Sequence, residues 1–73
     1  PVTIIKYSLA NKQIVKLKIY DILGKEVATL VNEEKPAGRY SAEFYGSGLA
    51  SGIYFYRLQA GDYVETRKMI LLK

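Results

Sequence analysis

The last third of the chain constrains the fold more than any other part, because two runs rich in β-branched and aromatic residues flank a turn dipeptide. The runs are Ile53 to Ala60 and Tyr63 to Leu72, and Gly61-Asp62 separates them. Two such runs joined by a short Gly-containing turn are typical of a β-hairpin. We therefore predict a pair of antiparallel strands here.

Within the second arm, the residues Met69 to Leu72 are all apolar. Successive side chains of a strand point to opposite faces, so this pattern requires cover on both faces, either from the same domain or from a partner. Two interpretations stay open for the segment Arg67 to Lys73. It can simply complete the sheet, or it can also offer its outer face or free edge to another protein by β-augmentation.

Four further runs precede the hairpin and are also predicted as strands. They are Thr3 to Leu9, Ile14 to Tyr20, Glu26 to Asn32 and Arg39 to Tyr45. All but Glu26 to Asn32 alternate apolar and polar residues, as half-buried strands do. A β-bulge would account for the broken alternation of that run.

Turn residues separate these runs. Asp21 to Gly24 is predicted as a chain reversal, because the Asp side chain can bond the backbone ahead of it and Gly can adopt a positive φ. Glu33 to Gly38 is predicted as a loop, and Gly46 to Gly52 as a flexible crossing whose Leu49 plugs an end of the core. Short strands at even spacing, with no helical period, predict an all-β, immunoglobulin-like antiparallel β-sandwich of six or seven short strands.

The composition argues against catalysis. With 73 residues and 49% hydrophobic content, the chain is expected to form one small domain, residues 1–73. The absence of His removes the commonest general base and metal ligand, and the absence of Cys removes disulfides and thiolate chemistry. Glu33 and Glu34 are adjacent and point to opposite faces of an extended chain, so they form no paired-carboxylate site. We predict no enzymatic activity, no cofactor and no metal site.

The net charge of +4 comes from Lys and Arg residues that are scattered along the chain without a basic run. Scattered cations are typical of a solvated outer face, so we predict no nucleic-acid partner. No apolar stretch has the roughly 18 residues of a membrane span, and no signal peptide opens the chain. If the protein is exported, its amino-terminal signal is expected upstream, on a longer precursor.

Two Gly-x-Tyr phrases, Gly38 to Tyr40 and Gly52 to Tyr54, lie at the starts of predicted strands. Tyrosine in this position of immunoglobulin-like sandwiches commonly buries its ring and bonds its hydroxyl to nearby backbone, an arrangement named the tyrosine corner. We therefore predict a packing role rather than a binding role. The residues assigned to structural turns and core are Gly24, Gly38, Tyr40, Gly52 and Tyr54.

Other tyrosines allow a different interpretation. Tyr20, Tyr45 and Tyr63 fall on or near predicted polar faces, where an exposed ring could stack on a sugar. Against this, Asp and Asn residues that would fix sugar hydroxyls are sparse nearby, and isolated surface aromatics are ordinary. A carbohydrate-binding or adhesive accessory module of a secreted enzyme stays open as the alternative function.

Three stretches carry a resemblance to a known family: LKIYDILGKEVATLV, PAGRYSAEF and LASGIYFYRLQAGDYVETRKMILLK. Together they closely resemble the carboxy-terminal sorting domain of the type nine secretion system of Bacteroidetes and related bacteria. The resemblance covers nearly the whole chain. The matching elements are Ile19 to Gly24, Gly38-x-Tyr40, Leu49 to Tyr54 and the basic-then-aliphatic ending Lys68 to Lys73.

The resemblance implies a non-catalytic secretion signal, attached to an upstream cargo domain on the same precursor. It further implies two partners, an outer-membrane translocon and a sortase-like peptidase, and a secreted or cell-surface location reached through the periplasm and outer membrane. Translocon recognition is assigned, as a hypothesis, to the residues Lys68, Met69, Ile70, Leu71, Leu72 and Lys73.

Overall fold

The computed structural model describes residues 2–72, which form six antiparallel strands and no helix. The strands are β1 (Val2–Leu9), β2 (Gln13–Asp21), β3 (Glu26–Lys35), β4 (Gly38–Tyr45), β5 (Gly52–Ala60) and β6 (Tyr63–Leu71). They are arranged in two sheets, one with the order β1-β4 and one with the order β3-β2-β5-β6. The prediction of an all-β, immunoglobulin-like sandwich is confirmed.

The predicted hairpin is formed by β5 and β6. Their register runs from Gly52 opposite Leu71 to Ala60 opposite Tyr63 without a shift. Gly61 has a φ of +61° and occupies the first central position of the two-residue turn, as a type II′ turn requires. The turn therefore sets the register of the whole hairpin.

The core lies between the two sheets and follows from the alternation of the strands. The inward residues of β2, which are Val15, Leu17 and Ile19, are 0% exposed. Side chains from the two-stranded sheet, including Ile5 and Phe44, belong to the same cluster. Burying an aliphatic side chain of this kind contributes about 1.5–3 kcal/mol, so these alternating runs supply much of the stability.

The predicted bulge in β3 is present, and it occurs twice. The pairing with β2 passes over Leu30 and again over Val27, so each of these residues has no register partner. The apolar residues of β3 do not alternate with polar ones, but the bulges turn them toward the core. All four pack against the core cluster: Val27, Ala28, Leu30 and Val31.

Two predicted boundaries were wrong. The polar run Glu33 to Lys35, expected in a loop, continues β3 and pairs with Gln13, Ile14 and Val15 of β2. Backbone pairing with a buried neighbour outweighs the loop-like composition, and an edge strand tolerates charged side chains. Gly52, expected to end the crossing segment, begins β5 because it pairs with Leu71.

Candidate functional site

β6 lies at the edge of the four-stranded sheet. Among the described residues, β5 is the only strand that pairs with it. A two-residue hairpin closes on a hydrogen-bonded pair, and such pairs then alternate with non-hydrogen-bonded pairs. This pattern directs the backbone N–H and C=O groups of Val64, Thr66, Lys68 and Ile70 away from β5. A row of free backbone groups is a template for an added strand.

The inward side of the terminal segment is anchored in the core. Leu71 is 3% exposed, and Met69 is partly buried against the same cluster. Gly46 lies directly against Leu71, since a Cβ added at Gly46 would be 2.6 Å from both Leu71 Cδ atoms. Leu71 therefore packs directly on the backbone of Gly46, and a side chain at Gly46 would force Leu71 to move.

The outward side of the same segment has no cover from the described part of the chain. Ile70 is 61% exposed and Leu72 is 73% exposed, and Lys68 also points outward. Lys73, which was included in the predicted recognition segment, lies outside the described residues. The structure thus divides the predicted segment into an anchored inner side and an exposed apolar outer side.

The turn between β2 and β3 adds two apolar residues at the same end of the sheet. Ile22 and Leu23 follow Asp21, which pairs with Tyr54 of β5, and Leu23 is 90% exposed. With Ile53, which is opposite Ile70, they extend the exposed apolar surface. We refer to this set as the apolar end. Its members are Ile22, Leu23, Ile53, Ile70 and Leu72.

Hydrogen bonds to Asp21 hold the backbone of this turn in a defined conformation. Asp21 Oδ1 accepts hydrogen bonds from the backbone N–H groups of Leu23 and Lys25, both at 2.9 Å. Gly24 adopts a φ of +85° and donates its N–H to the Asp21 carbonyl at 3.0 Å. Sequence reasoning identified this turn but missed Ile22 and Leu23 as surface residues. The available signal was two large aliphatic residues inside a turn, where polar residues are usual.

The two Gly-x-Tyr phrases have the same geometry. Tyr54 is buried, and its hydroxyl donates to the Ala50 carbonyl at 2.7 Å. The Tyr40 hydroxyl donates to the Pro36 carbonyl, also four residues back. Gly38 and Gly52 precede them by two residues with φ values of +151° and +155°. Both tyrosines therefore tie the incoming connection to the start of their strand.

Tyr40 differs from Tyr54 because it faces a more open part of the sandwich. Its ring stacks on Tyr7 with the centroids 5.4 Å apart, and Lys35 Nζ lies 4.8 Å from the Tyr40 ring centroid. Burial raises the pKa of the Tyr7 hydroxyl above its ordinary value. Tyr7, Tyr40 and Lys35 thus cover this part of the core. Its surface is formed by aromatic and cationic groups, whereas exposed aliphatic side chains lie beside Tyr54 at Ile53 and Ile70.

The tyrosines considered for sugar binding do not share a surface. Tyr20 lies on the outer face of the four-stranded sheet, Tyr45 on the outer face of the two-stranded sheet, and Tyr63 on the inward side of β6. The Tyr45 hydroxyl donates to Glu43 Oε2 at 3.2 Å, which raises the Tyr45 pKa. The structure therefore brings together no aromatic platform from these residues.

The described residues also contain few features of a reactive site. Residues 2–72 include no group of three or more His, Cys, Asp or Glu side chains placed to hold a metal ion. A cleft of about 300 Å³ between β1 and β6 is lined by Tyr7, Leu58 and Glu65 among others. Over the same described range, no helix is long and apolar enough to cross a membrane.

A free strand edge beside exposed aliphatic side chains can bind a partner by backbone pairing and apolar contact. The fold and this surface define a small β-sandwich module for recognition. Residues 2–72 match a family model described as a secretion system C-terminal sorting domain, and the chain belongs to that family. It is accordingly a sorting signal for type IX secretion. Neither the curated proteins nor the solved structures include a significant match to the chain.

Proposed function

We propose that this domain directs an upstream cargo protein on the same precursor to the outer-membrane translocon through the segment Lys68 to Lys73. The domain acts by binding and performs no chemistry of its own. A sortase-like peptidase then processes the precursor, and the cargo is released or displayed at the cell surface. The sorting role comes from family membership, and the contact region is our assignment.

The exposure of Ile70 and Leu72 beside a free strand edge is the observation that carries this assignment. Burying an aliphatic side chain contributes about 1.5–3 kcal/mol, so two of them give a partner a substantial gain in binding free energy. Pairing with the free backbone groups of β6 would add directional contacts and fix the register of the partner. The supporting features therefore combine affinity with specificity.

The anchored inner side explains how the outer side is presented. Leu71 holds the end of β6 against Gly46, and Tyr54 closes the start of the neighbouring strand. Deleting the last residues of the chain would remove Leu71 together with Ile70 and Leu72. Such a deletion would mix a loss of folding with a loss of recognition, so side-chain substitutions give the cleaner test.

The test is delivery of a secreted fluorescent reporter fused to the whole chain, in a host that has the secretion system. The test variant is Ile70→Thr with Leu72→Thr, which keeps the fold contacts of Leu71. The matched control is Val2→Thr with Ile4→Thr, two exposed aliphatic residues on the outer face of the two-stranded sheet. We expect the test variant to lose most delivery and the control to keep it, with both domains folded by circular dichroism. Normal delivery of the folded test variant would refute the assignment.

A further inference from the structure

Four cations from three strands lie on one face of the four-stranded sheet. Lys16, Lys18, Arg57 and Lys68 all point outward, since they alternate with the inward positions of β2, β5 and β6. The register places Lys18 directly opposite Arg57. We refer to these four residues as the cationic face. The pairing of β2 with β5 and of β5 with β6 brings these cations onto one face, although they are scattered along the chain.

The cationic face carries four of the eleven Lys and Arg residues of the chain. None of the described outward positions of β2, β5 and β6 is Asp or Glu. The edge strand β3 places Glu26 and Glu34 on the same face, opposite Tyr20 and Ile14 of β2, so the acidic residues of this face lie along one edge of the sheet. Of the four cations, Lys18 alone has an ion pair with a described carboxylate, Glu26 Oε1 of β3 at 3.2 Å from Lys18 Nζ.

The pairing of Lys18 with Arg57 places two like charges opposite each other, and within the domain the ion pair of Lys18 with Glu26 offsets part of the repulsion. Like charges directly opposite each other on neighbouring strands destabilise a sheet. The other cross-strand neighbour of Arg57 is Thr66, which carries no charge. A partner that brings carboxylates to this face would relieve the repulsion, so the arrangement favours an acidic ligand.

The same face also carries apolar side chains, so its ligand is expected to have apolar groups as well as carboxylates. Phe55 lies between Tyr20 and Lys68 in the sheet, and Ile53 and Ile70 of the apolar end adjoin it. A polyanion such as nucleic acid would use the cations but would leave the aliphatic side chains exposed. A second copy of the chain docked through this face would bring the cations against themselves. A protein surface with carboxylates beside apolar groups fits both features.

We propose that the cationic face and the apolar end together dock on an acidic, partly apolar protein surface of the translocon. This inference rests on the proposed function, which names the translocon as the partner. The cations steer the encounter and select the orientation, whereas the aliphatic residues hold the complex once it has formed.

The experiment measures binding of the whole chain to the detergent-solubilised translocon over a range of salt concentrations. The test variant is Lys16→Glu with Arg57→Glu. The matched control is Lys6→Glu with Arg39→Glu, on the outer face of the two-stranded sheet. We expect the test variant to bind about tenfold more weakly at low salt and to lose most of the salt dependence. The control should keep both.

Thermal unfolding separates this effect from misfolding. Arg57→Glu places a carboxylate opposite Lys18, so the midpoint of the test variant is expected to rise. Lys16→Gln with Arg57→Gln provides a second variant that removes the charges without reversing them. It should show an intermediate loss of affinity and a reduced salt dependence.

Different failures have different meanings. Unchanged affinity and salt dependence in both charge variants would refute a role of the cationic face in binding. The proposed function would stay testable, because the variant Ile70→Thr with Leu72→Thr measures sorting through β6 separately. Tighter binding to heparin than to the translocon at the same salt would overturn the choice of a protein partner. If the unaltered chain forms a dimer and the test variant does not, the cationic face binds a second copy of the chain, and the proposed translocon contact is wrong. Failure of the unaltered chain to bind the translocon would refute the proposed function and this inference with it.

Discussion

β3 and β6 are the two edges of one sheet, and they differ in the properties that control strand addition. β3 contains bulges at Val27 and Leu30 and ends in the charged run Glu33 to Lys35. β6 pairs with β5 without a shift, and it ends beside the exposed residues Ile70 and Leu72. Bulged, charged edges resist pairing with other chains, whereas regular apolar edges accept it. One edge of the sheet is therefore protected and the other is open.

The open edge is itself restricted to part of β6. Near the hairpin turn, Arg67 Nη2 lies 2.8 Å from Glu65 Oε2, and this hydrogen-bonded ion pair raises the Arg67 pKa. Both side chains are on the inward side of the strand. Inward-pointing charges on an edge strand discourage indiscriminate pairing. The half of β6 from Lys68 onward is left as the part suited to a directed partner.

The largest effect on folding is expected where β6 meets the core. Leu71→Ala should lower the free energy of unfolding by about 2–5 kcal/mol, because Leu71 is buried against Gly46 and leaves a cavity. Val31→Ala on β3 removes a residue that is only partly buried and should cost less. Urea unfolding of both variants measures the two values. Equal losses would show that β6 is no better anchored than β3.

A proline in β6 tests whether the free edge itself is used. The N–H of Lys68 points away from β5 by the ladder alternation, so Lys68→Pro should change the free energy of unfolding by less than about 1 kcal/mol. We expect reporter delivery to fall while the domain stays folded, because proline cannot donate to an added strand. Lys68→Ala is the control, since it removes the same side chain and keeps the N–H donor. Equal delivery with Lys68→Pro and Lys68→Ala would limit recognition to side chains.

Charge reversal on the outer face is expected to have a smaller effect of the opposite sign. Arg57→Glu should raise the free energy of unfolding by about 0.2–1 kcal/mol, since it replaces a like-charge pair with Lys18 by an opposite-charge pair. Urea unfolding at low salt measures the change, and added salt should reduce it. A lower stability would show that the Lys18–Arg57 repulsion is already relieved within the domain.

The smallest effect concerns the protected edge. Glu26 of β3 accepts a hydrogen bond from Thr29 Oγ1 at 2.8 Å and lies 3.2 Å from Lys18 Nζ. These contacts lower the Glu26 pKa, the Thr29 bond first and Lys18 second. A carboxyl with a lowered folded-state pKa stabilises the fold above its unfolded-state pKa and ceases to do so as the pH falls through the folded value.

The stability difference between the unaltered chain and Glu26→Gln should therefore shrink from about pH 7 to about pH 3, across the ordinary Glu pKa. Urea unfolding at several pH values gives this difference directly. A difference that grows as the pH falls would contradict the assigned contacts.

The fold could be predicted from the sequence wherever alternation is local. Val15, Leu17 and Ile19 alternate with polar residues, and β2 follows from that pattern alone. The end of β3 could not be predicted in the same way, because Glu33 to Lys35 become a strand through pairing with Gln13 to Val15. That contact joins distant parts of the chain and leaves no mark on the local composition.

The candidate site could be predicted only where it depends on a local sequence pattern. The continuous apolar run Met69 to Leu72 predicted cover on both faces, from the domain or from a partner. The domain covers the inward side at Met69 and Leu71 and leaves Ile70 and Leu72 exposed. The grouping of Lys18 with Arg57 depends on which strands become neighbours, which sequence spacing does not reveal. Ile22 and Leu23 were missed because the turn was judged by its Asp and Gly residues alone.

The contact between Gly46 and Leu71 links the position of the proposed contact segment, Lys68 to Lys73, to completion of the fold. Gly46 follows β4 of one sheet, and Leu71 ends β6 of the other, so they meet only when both sheets are assembled. A chain that stalls before this closure would leave Ile70 and Leu72 without a defined orientation. If the proposed contact region is used, the export machinery would bind this surface only after the two sheets have assembled, and recognition would depend on complete folding of the domain.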